Sequence, residues 1–122
     1  MILYKNNDFY IEVHEADIPW LKIFTTNSYK ELTDLPKPLR KQLYEVMEII
    51  EEEMLSYYKP EKINIAAFGN YLPHVHIHVM ARFKEDAYFP EPMWGEKQRE
   101  QNLDLPQADP FYDQLIQRIK AL

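Results

Sequence analysis

Three of the four histidines in this chain alternate with apolar residues between His74 and Met80, and this pattern constrains the fold more than any other. Successive side chains of a β-strand point to opposite faces, so His74, His76 and His78 share one face. The intervening valines and isoleucine share the other. A helix would scatter both sets around its axis, and Val and Ile favour strands. The stretch therefore predicts a strand with one polar, reactive face and one core face.

The spacing of these imidazoles leaves more than one chemistry open. Neighbouring rings on one face start about 6.6 Å apart, a distance that a tetrahedral anion such as phosphate can bridge. A His-x-His pair on a strand can also hold zinc when a third ligand, such as His14 or a carboxylate, completes the site. Three solvent-facing polar residues on a half-buried strand would be the plainest interpretation, but strict alternation of histidine argues against it.

Composition limits the remaining classes of function. A length of 122 residues predicts a single domain over 1–122, and the absence of cysteine excludes disulfides, thiolate zinc sites and cysteine nucleophiles. The net charge of −6 argues against nonspecific nucleic-acid binding, which needs a basic surface. No membrane-length apolar run and no secretory pattern at residues 1–8 are present, so we expect a cytoplasmic protein with no membrane partner.

Periodicity predicts the other elements of secondary structure. Pro36 and Pro38 are good first-turn residues for a long helix, and Pro60 stops it. The run Glu51-Glu52-Glu53 spreads around that helix, which favours solvated carboxylates over a metal site. The predicted strands are 2–4, 9–13, 21–25, 62–68 and 73–80, and the predicted helices are 37–58 and 107–122.

The histidine strand and its surroundings resemble a known family. His74-Val75-His76-Ile77-His78-Val79-Met80 matches the His-φ-His-φ-His-φ-φ motif of the histidine triad (HIT) proteins, which are nucleotide hydrolases and transferases. The resemblance extends to Pro19-Trp20, Gly69-Asn70, Ala81-Arg82-Phe83 and the segment 89–95. It implies an α+β, HIT-like fold with a mostly antiparallel five-stranded sheet, one long helix and a C-terminal helix. It also implies a homodimer joined through the long helix and the fourth strand.

The resemblance assigns roles to the three histidines. The middle histidine of the family attacks the α-phosphate of a nucleotide derivative, which carries over to His76. A nucleotidyl-histidine then forms, and water hydrolyses it. His78 would hydrogen-bond an α-phosphate oxygen, and His74 would orient its neighbours. One ring nitrogen of His76 attacks best when the opposite nitrogen donates its proton to a fixed acceptor. A backbone carbonyl could be that acceptor.

The resemblance also suggests residues that bind substrate. Asn64 and Asn70 fall near polar positions that contact the phosphate region or the leaving group. The candidates for the ribose-binding position are His14, Glu15 and Asp17, of which Glu15 or Asp17 could accept from the ribose hydroxyls. The chain departs from the family at His14-Glu15, where many relatives carry adjacent acidic residues. We also expect an apolar slot for the base, lined by Phe9, Ile11, Val13 and Ile18.

A second departure concerns the leaving group. Trp20 replaces a fourth histidine that some branches place near the leaving group, so the source of its proton is open. The expected substrate is a purine nucleotide derivative, such as a nucleoside phosphoramidate or a diadenosine polyphosphate, with no metal and no cofactor. The alternatives are a metal-dependent hydrolase and a nucleotide-binding interaction module with little turnover.

Overall fold

One antiparallel five-stranded sheet and two helices make up the fold, and the computed structural model describes residues 1–122. The strand order is β1-β2-β3-β5-β4, so β1 and β4 form the two edges. The predicted α+β fold, with an antiparallel five-stranded sheet, one long helix and a C-terminal helix, is confirmed. The elements are β1 (Ile2–Lys5), β2 (Phe9–Val13), β3 (Trp20–Thr25), a 3-10 turn (Leu32–Asp34), α1 (Lys37–Tyr58), β4 (Lys62–Ala66), β5 (His76–Arg82) and α2 (Asp109–Lys120).

Local chemistry explains several of these boundaries. The Asn6 Oδ1 accepts the backbone N–H groups of Asp8, at 2.8 Å, and Phe9, at 2.9 Å, which closes the β1–β2 hairpin. Helix α1 begins with proline in its first turn and ends at Lys59, whose φ of 51° places it in the left-handed region. The predicted bounds of β2 and α1 match those of the structure.

The histidine strand starts later than the alternation predicts. The His74 N–H donates to the Leu72 carbonyl at 2.7 Å, and the Val75 N–H donates to the Tyr29 carbonyl at 2.7 Å. These bonds hold His74 in the approach to β5 and outside the sheet ladder. The first histidine of the motif therefore lies in a bend, whereas the other two belong to the strand.

The register of the sheet assigns each side chain to a face. Phe24 pairs with His76 and Lys22 pairs with His78 across β3 and β5, so these four side chains share one face. The opposite face packs on α1 through the core. Phe9 and Ile11 lie in that core, at 1% and 0% exposure, so the prediction that they line a base slot is wrong.

Helix α2 packs against α1 and contributes to the same core. It buries Phe111, Leu115 and Ile119, and its Arg118 donates to Glu53 at 2.8 Å and to Glu52 at 3.2 Å. Two of the three consecutive glutamates are therefore ion-paired between the helices. Neither helix combines the length and the apolar character that a bilayer span requires.

Candidate functional site

A cleft of about 450 Å³ opens over the histidine face of the sheet. Strands β3 and β5, with His14 directly after β2, form its floor, while the loop after β4 and the loop after β5 form its walls. The cleft is lined by His14, Trp20, Lys22, Phe24, Phe68, Gly69, Asn70, Tyr71, Leu72, His76, His78 and Trp94.

The ring of His76 is held so that one nitrogen stays free. Its Nδ1 lies 2.8 Å from the backbone carbonyl of His74. A carbonyl oxygen can only accept, so Nδ1 carries the proton and Nε2 of the neutral ring carries a lone pair. Phe24 stacks on the ring, with centroids 4.8 Å apart and planes 15° apart. His76 is therefore an oriented imidazole with an available nucleophilic nitrogen.

The ring of His78 has the opposite arrangement. Trp20 donates its indole N–H to Nδ1 of His78 at 3.0 Å, and only 7% of His78 is exposed. Burial, followed by the neighbouring His76, Lys22 and His14, lowers the pKa of His78 from its ordinary 6.5 to about 4. His78 is thus a neutral ring beside His76, with centroids 5.0 Å apart.

The ring of His74 is turned toward β3. Its Nε2 donates to the Thr25 carbonyl at 2.6 Å, and the ring meets Phe24 edge-on at 5.5 Å. It is not among the residues that line the cleft. Its backbone carbonyl orients His76, so this residue acts on its neighbour through the main chain.

The two predicted asparagines lie in different environments. Asn70 lines the cleft, directly after Gly69, whose φ of +78° requires a residue without a Cβ. Asn64 lies on the same sheet face, but its Oδ1 accepts from Arg82 at 2.8 Å and it does not line the cleft.

The predicted ribose-binding residues line a second groove. This groove, of about 330 Å³, includes His14, Glu15 and Asp17 and adjoins the first at His14 and Trp20. The ring of His14 packs on Trp20 with centroids 4.0 Å apart. The groove is also lined by Val13 and Ile18 from the predicted base slot, and by Leu105, Pro106 and Tyr112 from the C-terminal segment.

Sequence reasoning missed Lys22. It is the only lysine or arginine that lines the cleft, and its side chain is 16% exposed. Its Nζ lies 3.3 Å from the Glu12 carboxylate and 5.7 Å from the Phe24 ring centroid. The signal was alternation along β3, which places Trp20, Lys22 and Phe24 on one face.

Trp94 closes the cleft from the loop that follows β5. Its ring meets Phe68 at 4.7 Å, His78 at 5.1 Å and Trp20 at 5.3 Å, in each case edge to face. These contacts show that Trp94 forms part of the cleft wall.

A buried ion pair fixes the loop that carries Trp94. Arg82, 1% exposed, donates to both carboxylate oxygens of Asp86, at 3.0 and 3.1 Å, and to the Glu91 carbonyl at 2.7 Å. Burial alone would raise the pKa of Asp86, but the bond from Arg82 and three backbone N–H bonds outweigh it and hold that pKa below its ordinary value.

The ring nitrogens bear on the metal alternative. The Nδ1 atoms of His76 and His78 and the Nε2 of His74 each make a hydrogen bond within the protein. No group of three or more His, Cys, Asp or Glu side chains in the structure is arranged to hold a metal ion. The arrangement suits anion binding and nucleophilic attack by one imidazole.

The family model that matches the chain and the solved structures that resemble it belong to the same family. The HIT domain family model matches residues 2–85. A histidine triad protein from Bradyrhizobium japonicum is 28% identical, with a TM-score of 0.79 over 98% of this chain and 90% of that one. A histidine triad protein from Marinobacter aquaeolei is 24% identical, with a TM-score of 0.76 over 94% and 90% of the two chains. One from Sinorhizobium meliloti is 24% identical, with a TM-score of 0.73 over 99% and 87%. No curated protein matches the chain.

Proposed function

The chain belongs to the HIT domain family, as the sequence predicts, and on this premise we propose that it cleaves a purine nucleotide derivative at the α-phosphate through His76. Family membership supports nucleotide binding with hydrolase or transferase chemistry. The observation that carries the finer proposal is the bond from His76 Nδ1 to the His74 carbonyl, which leaves Nε2 as the nucleophile.

The proposed reaction has two displacements. The Nε2 lone pair of His76 forms a bond to phosphorus, and the bond from phosphorus to the leaving group breaks with its electron pair going to the leaving group. A phosphate leaving group departs as an anion, whereas an amine takes a proton from solvent. Water then attacks phosphorus and releases a proton to solvent, the P–N bond breaks with its electron pair returning to Nε2, and a nucleoside monophosphate leaves with His76 restored.

The residues around His76 support binding of an α-phosphate. His78 can donate an Nε2–H, Lys22 supplies a positive charge, and Asn70 supplies an amide from the glycine-containing loop. A neutral donor and a fixed cation stabilise charge on the phosphoryl oxygens without solvent having to reorganise. Each of these contacts is part of the proposal.

The nucleoside is proposed to occupy the groove beside Trp20. Glu15 and Asp17 offer carboxylates for ribose hydroxyls, and Val13 and Ile18 offer apolar surface for a base. His14 lines both this groove and the phosphate cleft, so it would contact the substrate between its two parts. Asn64 would act indirectly, by holding Arg82.

A covalent adduct on His76 tests the mechanism. The protein is mixed with adenosine phosphoramidate or diadenosine triphosphate, denatured at alkaline pH, since P–N bonds are labile in acid, and weighed intact. We expect the mass of one bound nucleotide in the wild type and in His78→Ala. His76→Ala should show no adduct and should lose turnover by on the order of 10³-fold or more.

Three outcomes would contradict this proposal. Unchanged turnover in His76→Ala would remove the nucleophile. Tight nucleotide binding with no product above background would instead favour an interaction module, and turnover abolished by a chelator would favour the metal-dependent alternative.

We further propose that the protein is a homodimer joined through α1 and the free edge of β4. A groove of about 310 Å³, almost wholly apolar, runs between these elements. Tyr44 is 58% exposed and Ile65 42% exposed beside it. A second copy of the chain could cover this surface and pair with the open strand edge.

A further inference from the structure

We propose that Trp20 is a positioning residue that fixes His78 as the tautomer with its proton on Nε2, and so aims an N–H donor at a phosphate oxygen in the cleft. The tautomer depends on geometry alone. The phosphate contact rests on the proposed function.

The hydrogen bond between the two rings carries the inference. The Trp20 indole has one N–H and no acceptor, and its Nε1 lies 3.0 Å from Nδ1 of His78. Nδ1 must therefore offer a lone pair, and the one proton of the neutral ring must be on Nε2. Both rings are buried, at 8% and 7% exposure, so water does not compete readily for this bond.

The surroundings of His78 oppose a second proton on its ring. An imidazolium would set its Nδ1–H against the indole N–H, and it would also lie near the Lys22 ammonium. The Glu12 carboxylate, which could favour a cation, is paired with Lys22 at 3.3 Å. The groups that face the ring are His76 on β5, Lys22 and Trp20 on β3, Glu12 on β2, His14 directly after β2, and Phe68 and Trp94 on the loops.

The two strand histidines thereby receive opposite roles from opposite partners. A carbonyl accepts from Nδ1 of His76 and leaves its Nε2 with a lone pair, whereas an indole donates to Nδ1 of His78 and leaves its Nε2 with a proton. Two chemically identical side chains, two residues apart, thus become a nucleophile and a donor. The His74 carbonyl and the Trp20 indole are the two partners that separate these roles.

Nitrogen-15 NMR of the histidine rings tests this assignment. In the wild type we expect an unprotonated Nδ1 and a protonated Nε2 on His78 from pH 7 down to pH 5. In Trp20→Phe, loss of the indole N–H and entry of water should let Nδ1 titrate at a pH about one unit higher or more. The matched control is Trp94→Phe, because Trp94 also meets His78 edge-on, at 5.1 Å, but makes no hydrogen bond to it.

The possible results distinguish a failure of the Trp20 proposal from a failure of the proposed function. A protonated Nδ1 in the wild type at neutral pH, or the same His78 titration in Trp20→Phe and wild type, would overturn the proposal. A shift in Trp20→Phe but not in Trp94→Phe supports it. If the wild type turned over no nucleotide substrate, the proposed function would be rejected. The NMR spectra would still determine the tautomer of His78.

Discussion

Each imidazole of the motif has a different hydrogen-bond partner, and so a different arrangement of its two ring nitrogens. His74 bonds to Thr25, His76 bonds to the His74 carbonyl, and His78 accepts from Trp20. The sequence predicts three histidines on one face, and the structure keeps two in the cleft. The motif could not reveal this difference, because it depends on β3, a strand about fifty residues earlier in the chain.

Lys22 provides a test of charge in the cleft. We expect Lys22→Met to reduce kcat/KM for a nucleotide substrate by about ten- to a hundredfold, since a charge-assisted hydrogen bond contributes about 1.5–3 kcal/mol. Lys84→Met is the matched control, because it removes the same charge from a side chain that is 67% exposed and outside the cleft. Steady-state kinetics of both variants at fixed ionic strength would decide, and equal losses would argue that only net charge matters.

At the scale of elements, the features that depend on nearby residues could be predicted from the sequence. The features that depend on contacts between distant parts of the chain could not. Periodicity and prolines located α1, because these signals act within a few residues. The assignment of Phe9 and Ile11 to a base slot failed because the face of β2 depends on its pairing with β3. The loop that carries Trp94 is held by the buried Arg82–Asp86 pair and by the bond from Arg82 to the Glu91 carbonyl, and the burial of this pair depends on the complete fold.

The Arg82–Asp86 pair should be essential for the loop that carries Trp94. We expect Arg82→Met to lower the free energy of unfolding by about 3–5 kcal/mol, because it leaves a carboxylate buried at 0% exposure without its cation. Arg118→Met, which breaks a pair whose arginine is 34% exposed, should cost under about 1 kcal/mol. Urea unfolding followed by tryptophan fluorescence measures both, and similar losses would show that the buried pair has no special role.

At the scale of the whole molecule, stability should depend on the protonation of His78. Its pKa in the folded protein, about 4, lies below its ordinary 6.5, so the unfolded chain binds the proton more tightly in this interval. This contribution is fully present above pH 6.5 and declines as the pH falls toward 4, by up to about 3 kcal/mol. Urea unfolding at pH 7.5 and pH 5 should show the loss, and His78→Gln should reduce it. A loss unchanged in His78→Gln would assign it to other groups.

Self-association of the chain can be tested at the surface formed by α1 and β4. The free edge of β4 and the apolar surface of α1 lie together, and a charge placed between them should prevent a second copy from packing there. We expect the wild type to have twice the mass of one chain at micromolar concentration, and Ile65→Arg to have the mass of one. Ile2→Arg is the matched control, because Ile2 is 53% exposed on β1, the opposite edge of the same sheet. Light scattering after size-exclusion chromatography measures the masses, and circular dichroism verifies that each variant is folded. A monomeric wild type, or dissociation by Ile2→Arg and not by Ile65→Arg, would reject this interface.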